Sequence, residues 1–425
     1  MEDTSSRITA YNRSMIPSLS RRQFVGAIGA ASLLTARAYD RLPGANDRLR
    51  MSVIGAGGMA TEHMKSLVAA REGDNFEIVN VCDIYQKRLD LAAQLTGAKP
   101  VNDYRHVLDN KDVDWVLIAV PEHWHYQMAM DALEAGKNVY VEKPMAHTVE
   151  QAKKLTAKVK SSNLKLQVGV QGMSDESYAV ANEHIKAGEL GKVVLAQIDY
   201  SRNYQGDFWA GDDYPIDPDA KPGVNLNWKE WLGPAPKHDW DPERYFRWRR
   251  YWDYSGGIAT DLFVHRATRL IKALNLEFPE YVVATGGKFE FTESLAEIPD
   301  TFNVLADYPG GPTMQLISSM ANEAKVDHMI RGHKATLYFT KTGFTIEPEK
   351  TSGNDSPPFT YEKKGAEDVT LHHRNLMNAI RNGEPLNCDC MLGLYGVAVC
   401  EMSVESYRKR AYLKWDAAKA QAVKA

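Results

Sequence analysis

The 425-residue chain has no excess of either charge. Its 51 Lys and Arg stand against 55 Asp and Glu, a formal charge of −4 with a pI of about 6.3. Without a basic stripe, nucleic acid is not an expected partner. Cysteine is scarce: Cys82, Cys388, Cys390 and Cys400 are too few to frame a chain of this length with disulfides. Cys388 and Cys390 lack the second Cys/His pair that a zinc site needs, so no metal is expected. After residue 40 no apolar run reaches the length that spans a bilayer, which argues against stable membrane insertion. No internal repeat or low-complexity tract is present. What remains, 44% hydrophobic and 25% charged residues, is the composition of an ordinary globular protein, long enough for two domains.

The first 38 residues read as an export signal. Arg21-Arg22 precede a short, weakly apolar run from Phe24 to Leu34, and Ala36-Arg37-Ala38 places small residues where a signal peptidase cuts. Twin arginines before such a run point to the route that carries folded proteins. The expected location is the periplasm or another exported compartment, and the twin-arginine translocation machinery is an expected partner. Residues 39–48 read as a polar linker.

A dinucleotide-binding pattern follows. An apolar strand, Leu49 to Ile54, runs into Gly55-Ala56-Gly57-Gly58-Met59-Ala60 and then a helix from about Thr61. Gly55 permits the tight turn, Gly57 lets the backbone approach a pyrophosphate, and Ala60 packs helix on strand; the phosphates would sit at the helix N-terminus. A second strand, 76–82, ends at Asp83. A carboxylate there accepts from adenosine ribose hydroxyls and repels a 2′-phosphate, which favours NAD over NADP. Arg88 lies close enough to join the cofactor contacts. Further strands are expected at 113–120, near-continuously apolar as buried parallel strands are, and at 137–141 and 164–170. Ligands bind at the carboxyl ends of such strands. Val120, Pro121, His123, His125, Glu142, Lys143 and Gln171 are therefore expected along the cofactor cleft, the two histidines without metal.

Val53–Ala60, Pro121-x-His123-x-His125, Glu142-Lys143-Pro144 and Asp261-x-x-x-His265 together resemble the Gfo/Idh/MocA family of sugar and polyol dehydrogenases. The resemblance covers nearly all of residues 49–415. It implies an N-terminal Rossmann domain (49–171) and a C-terminal α+β domain (172–425) with a large, mostly antiparallel open sheet, an α/β chain overall. It also implies that Lys143, Asp261 and His265 form the catalytic group. Many relatives carry an Arg shortly after the last Rossmann strand, where this chain reads Gln171-Gly172-Met173.

Chemistry supports those three residue types. Hydride transfer from an alcohol needs a base, and imidazole titrates near neutrality. Asp261 lies one helical turn before His265 and shares its face; it can contact substrate or orient the base. Lys143 supplies positive charge for a developing alkoxide. Residues 198–254 are dense in aromatics, and most of these rings are expected to fill the core of an irregular segment that acts as a lid or oligomer arm. Arg202, Tyr204, Trp252 and Tyr254 are the candidates for substrate contact, with Asp261 and His265.

In the second half, strands are expected at 191–201, 280–291, 300–308, 313–320, 325–330 and 334–340, with helices at 258–274, 370–382 and 390–409. The last helices have room to pack back on the Rossmann domain. Residues 346–366 read as a polar surface excursion. A free sheet face commonly becomes an oligomer interface, so a homodimer or homotetramer is expected. The functional expectation is an NAD-dependent oxidoreductase acting on a sugar, polyol or glycoside hydroxyl, C3 being attractive, with tightly bound cofactor. The alternatives are a redox-neutral NAD-dependent glycosidase and a non-catalytic sugar- or dinucleotide-binding protein.

Overall fold

The structure, a computed structural model, describes residues 47–425. The export segment at 1–38 and most of the 39–48 linker lie outside the described residues. The first half is a regular alternation: β1 (Leu49–Ile54), α1 (Gly58–Ala70), β2 (Phe76–Cys82), α2 (Gln86–Thr96), β3 (Lys99–Val101), α3 (Tyr104–Asp109), β4 (Trp115–Ile118), α4 (Glu122–Glu134), β5 (Asn138–Glu142), α5 (Val149–Lys160) and β6 (Leu166–Gly169). The six strands are parallel in the order β3-β2-β1-β4-β5-β6. Because helices cover both faces, β4 and β6 are buried along their whole length. The order reverses between β1 and β4, which opens a crevice at their carboxyl ends.

Local chemistry sets the edges of that crevice. Gly55 has φ +96°, and a Cβ there would lie 2.3 Å from the Ala119 carbonyl oxygen, so only glycine lets the β1 turn press against the end of β4. The side chains of Asp103 and Thr148 cap α3 and α5. Helix α1 is N-capped by Gly57 with no side-chain cap, and Gly57, Gly58 and Met59 at its start line the crevice.

The second half begins with α6 (Ser177–Lys186) and β7 (Val193–Asp199). A long irregular segment then leads to a π-helical turn, Ala259–Phe263, that runs directly into α7 (Val264–Leu274). There follow β8 (Tyr281–Gly287), β9 (Thr301–Asp307), β10 (Thr313–Ser319), β11 (Met329–Gly332), β12 (Ala335–Thr340), β13 (Gly343–Pro348), β14 (Phe359–Glu362), α8 (Val369–Asn382), α9 (Cys390–Lys409), β15 (Leu413–Asp416) and β16 (Gln421–Lys424). Ten strands form one sheet, β14-β13-β12-β11-β7-β10-β9-β8-β15-β16, antiparallel except where β7 meets β10. The fold class is the expected one. Burial alternates along β9: Phe302, Val304 and Ala306 face the helices, while Leu305 is 45% exposed on the open face.

Three stretches differ from the sequence reading. The span at 346–366 holds the end of β13 and all of β14, an edge strand exposed over most of its length that shows no apolar alternation. The strand placed at 325–330 is β11 at 329–332. The hairpin β15–β16 closes the far edge of the sheet. At the other end of the chain, α8 packs on α1, β5 and β6, and α9 on α5, while Val168 N–H donates to the Cys388 carbonyl at 2.9 Å. The C-terminal helices thus complete a layer of the nucleotide half.

Candidate active site

The carboxyl ends of β1, β4 and β5 face α7 and the long segment across a cavity of about 960 Å³. Of the cofactor candidates, Gly55, Gly57, Gly58, Met59, Asp83, Arg88, Val120, Pro121, His125, Glu142, Lys143 and Gln171 line it. So do Arg202, Tyr204, Asp261 and His265. Four candidates do not. Ala56 is buried, and its N–H is spent on Asp83 Oδ2 at 2.7 Å. His123 is buried behind the wall, its Nε2 donating to the Trp231 carbonyl at 2.9 Å. Tyr254 is fully buried against His123 and Trp231. Trp252 packs between Tyr407 and the Arg408 guanidinium. In the last three cases the ring packs against other parts of the protein rather than lining the cavity.

At the glycine turn, nothing lies within 4 Å of where a Gly58 side chain would start, and only the Arg88 guanidinium approaches that of Gly57. An uncapped helix start beside open space suits a pyrophosphate. Asp83 accepts from Ala56 N–H and from Tyr85 N–H at 2.8 Å; burial nevertheless pushes its carboxyl above its ordinary value, against the Arg88 charge. A carboxylate with spare lone pairs in that setting fits ribose hydroxyls. The residues present therefore fit a dinucleotide.

The long segment roofs this end. Gln86 N–H donates to Asn225 O, Asn227 N–H donates to Ile84 O, and Tyr85 bridges to Leu226. The Tyr85 hydroxyl donates to Asp217 at 2.9 Å, Lys87 pairs with the same carboxylate at 2.8 Å, and Arg105 pairs with Glu230. Arg88 lies over the Tyr245 and Phe246 rings. The strap is thus stitched to the loop after β2.

At the opposite end, Lys143 Nζ donates to Asp261 Oδ1 at 2.6 Å and to the Asp261 carbonyl at 3.0 Å. Arg249 Nε donates to the same Oδ1 at 3.0 Å. The three side chains are largely buried. Burial alone would raise the Asp261 carboxyl, but Lys143 and Arg249 outweigh it and hold the group well below the carboxylate range. Lys143 and Arg249 thus share the Asp261 carboxylate at the cavity wall, with Glu142 next to Lys143. His265 is held well below its ordinary value by burial and then by Lys143, so the imidazole is neutral; its Nδ1 has no hydrogen-bond partner among the described residues. Asp261 sits in the π-turn and His265 at the start of α7; π-turns recur at functional sites.

Sequence reasoning missed several supports. Arg249 lies in an irregular stretch with no periodicity to mark it. Glu142 Oε1 accepts from His63 Nε2 at 2.9 Å, and His63 Nδ1 lies 2.8 Å from His373 Nε2, a buried polar chain joining β5, α1 and α8. Despite burial, His63 lowers the Glu142 carboxyl, keeping it charged beside Lys143. Glu122, at the start of α4, accepts from the Ser255 hydroxyl at 2.9 Å and from Gly256 N–H at 3.2 Å, anchoring the loop that enters the π-turn. Burial and then Asp261 push its carboxyl up to about 7. Gly172 lies against the Arg269 guanidinium, so the arginine in that neighbourhood comes from α7.

Comparison with known proteins agrees with this geometry. Residues 49–170 match the model described as "Oxidoreductase family, NAD-binding Rossmann fold". Residues 236–415 and 179–274 match two models of the same family's C-terminal alpha/beta domain. The chain is 34% identical to scyllo-inositol 2-dehydrogenase (NAD(+)) of Bacillus subtilis over 148 residues, 35% of this chain and 43% of that protein. It is 32% identical to levoglucosan dehydrogenase of Pseudarthrobacter phenanthrenivorans over 106 residues, 25% and 27% of the two chains. The chain thus matches less than half the length of either curated relative. The solved WlbA dehydrogenase of Bordetella pertussis, in complex with NADH and UDP-GlcNAcA, shares the fold with a TM-score of 0.64 at 20% identity, over 87% of this chain and 99% of that one.

Proposed function

This chain belongs to the Gfo/Idh/MocA oxidoreductase family, and from that premise we propose that it transfers hydride between a sugar, polyol or glycoside hydroxyl and an NAD retained in the cavity. The observation that carries the reading is the meeting, in one cavity, of an open glycine turn with a neutral His265 and the Lys143–Asp261–Arg249 cluster. The bound nicotinamide supplies the redox chemistry. The chain's own residues do the rest. In the oxidative direction the His265 imidazole takes the hydroxyl proton. The Lys143 ammonium favours the alkoxide as it develops. Asp261 fixes Lys143 Nζ and Arg249 Nε in place, and the Glu142–His63–His373 chain fixes the strand end that bears Lys143. Asp83 favours an unphosphorylated adenosine ribose, hence NAD over NADP.

The strap over the adenosine end supports a cofactor that stays through turnover. The proposal extends to location and assembly: export by the twin-arginine route with nucleotide aboard, and self-association through the open face of the ten-stranded sheet. A retained cofactor must be restored in place, by a second substrate or by a redox-neutral sequence, and oxidation at C3 of a glycoside serves either. The redox-neutral glycosidase is the second reading, because enclosure of the nucleotide suits it equally. The test is to purify the full chain, identify released nucleotide by mass, and follow absorbance at 340 nm with a panel of sugars and aryl glycosides. Bound NAD that becomes reduced while a keto sugar accumulates supports the dehydrogenase. Aglycone release without net reduction supports the glycosidase. Absence of nucleotide binding refutes both.

A further inference from the structure

Five Lys and Arg side chains line the cavity, and four have an acidic counterpart. Lys143 and Arg249 share Asp261, Lys87 has Asp217, and Arg88 acts on Asp83. Arg202 has no carboxylate partner among the described residues. Its Nη1 and Nη2 lie 3.4 Å from the hydroxyls of Tyr204 and Tyr200, respectively, and its guanidinium sits 5.3 Å from the Tyr200 ring centroid. A half-buried cation without an opposite charge is costly. A guanidinium donates and cannot accept, so each phenol receives from Arg202 and keeps its own O–H unspent. Three donor groups therefore converge on one patch of the wall. The patch belongs to the substrate side: Tyr200 and Arg202 follow β7 in the second domain, and the Tyr200 ring meets the His265 ring edge-on at 6.1 Å.

We propose that the substrate is an acidic sugar and that Arg202, with the Tyr200 and Tyr204 hydroxyls, binds its oxyanion. This rests on the oxidoreductase reading of the same cavity. A planar guanidinium matches carboxylate and phosphate geometry. One uncompensated positive charge balances a single negative one, so the group is a carboxylate, as in a hexuronate or its glycoside. Lys143 and Arg249, paired with Asp261, serve the reacting hydroxyl instead, so the carboxylate and the reacting carbon are held by different groups of the wall, which fixes the ring's orientation.

The experiment uses the full chain with its nucleotide and matched ligands that differ only at C6: methyl glucuronide against methyl glucoside, the galacto pair likewise, and the corresponding 6-phosphates. Affinity is read by calorimetry and reduction at 340 nm. A hydrogen bond to a charged group predicts that at least one acid binds roughly 10- to 100-fold tighter than its neutral partner. In Arg202→Gln the ratio collapses towards unity, in Arg202→Lys part of it survives, and both variants keep their nucleotide. A preference for the phosphates over the hexuronates keeps the oxyanion site and replaces its ligand. The proposal is overturned if no anion, in any pair, outbinds its neutral partner, pairs with no detectable binding included. It also falls if the preference survives in Arg202→Gln, or if that variant sheds nucleotide, which would give Arg202 to a cofactor phosphate. Preferential binding of an acid without reduction leaves the subsite standing and counts against the oxidoreductase reading; reduction by neutral sugars without any preference does the reverse.

Discussion

Asp261 pairs with two cations, whereas among the described residues Lys143 and Arg249 each form an ion pair with Asp261 alone, so removing the anion and removing one cation have unequal costs. Asp261→Asn leaves two buried positive charges without a paired carboxylate, Glu142 being near Lys143 but not in an ion pair with it. Removing one partner of a buried pair costs about 3–5 kcal/mol, and here two partners are orphaned, so about 3 kcal/mol is a floor. Lys143→Met is different. Asp261 keeps Arg249, and an apolar side chain of similar length replaces a desolvated ammonium. Such replacements are near neutral, so a cost of about 1 kcal/mol or less is expected. Both variants lose turnover, Lys143→Met by about 10²–10³ as for a lost oxyanion donor. The assay is thermal unfolding with saturating nucleotide beside turnover on one proven substrate. For a chain of this size the difference amounts to a few degrees in Tm. Equal losses in the two variants, or an Asp261→Asn protein as stable as the parent, would refute the charge accounting at the centre of the site.

The remaining predictions follow from the same geometry. His265 is already neutral, so kcat/KM shows no limb near pH 6.5 from this group, and His265→Gln lowers kcat by about 10²–10⁴; a limb at 6.5 that vanishes in the variant would show that the imidazole charges. Glu122 stands at about 7 when folded, above its unfolded value, so the folded chain binds more protons and this group's contribution to stability declines from about pH 4.5 up to about 7. The unfolding free energy of Glu122→Gln relative to the parent should therefore rise between pH 5 and 8, by about 3 kcal/mol at most; a pH-independent difference contradicts it. Asp217→Ala removes the Tyr85 hydroxyl's acceptor in the strap and should speed nucleotide loss on dialysis roughly 5- to 10-fold, an unchanged rate meaning that the strap does not retain cofactor. Leu305→Asp on the open sheet face should lower the mass measured by light scattering if that face joins protomers, and an unchanged oligomer places the interface elsewhere.

Much of the nucleotide half was legible because its signals are local. Gly55 must be glycine on account of a neighbouring carbonyl, Asp83 directly follows one short strand, and Lys143 directly follows another. The second domain was legible where strands alternate, as along β9, and opaque at β14, whose edge position removes the alternation. Among the substrate candidates, Arg202 and Tyr204 face the cavity, whereas Trp252 and Tyr254 lie behind it. Aromatic density alone does not separate a ring that meets a ligand from one that fills a core.

By itself, the sequence determined the alternation of strands and helices in the nucleotide half, the glycine turn, and the residue types at 143, 261 and 265. These depend on residues near one another in the chain, where sterics and periodicity act directly. Only the tertiary structure decided that Arg249 joins Asp261, that His63 and His373 stand behind Glu142, that the 205–254 segment straps the cofactor end, and that Arg202 has no counter-charge among the described residues. Each of these is a matter of charge compensation and burial between groups far apart in the chain, which no local pattern encodes.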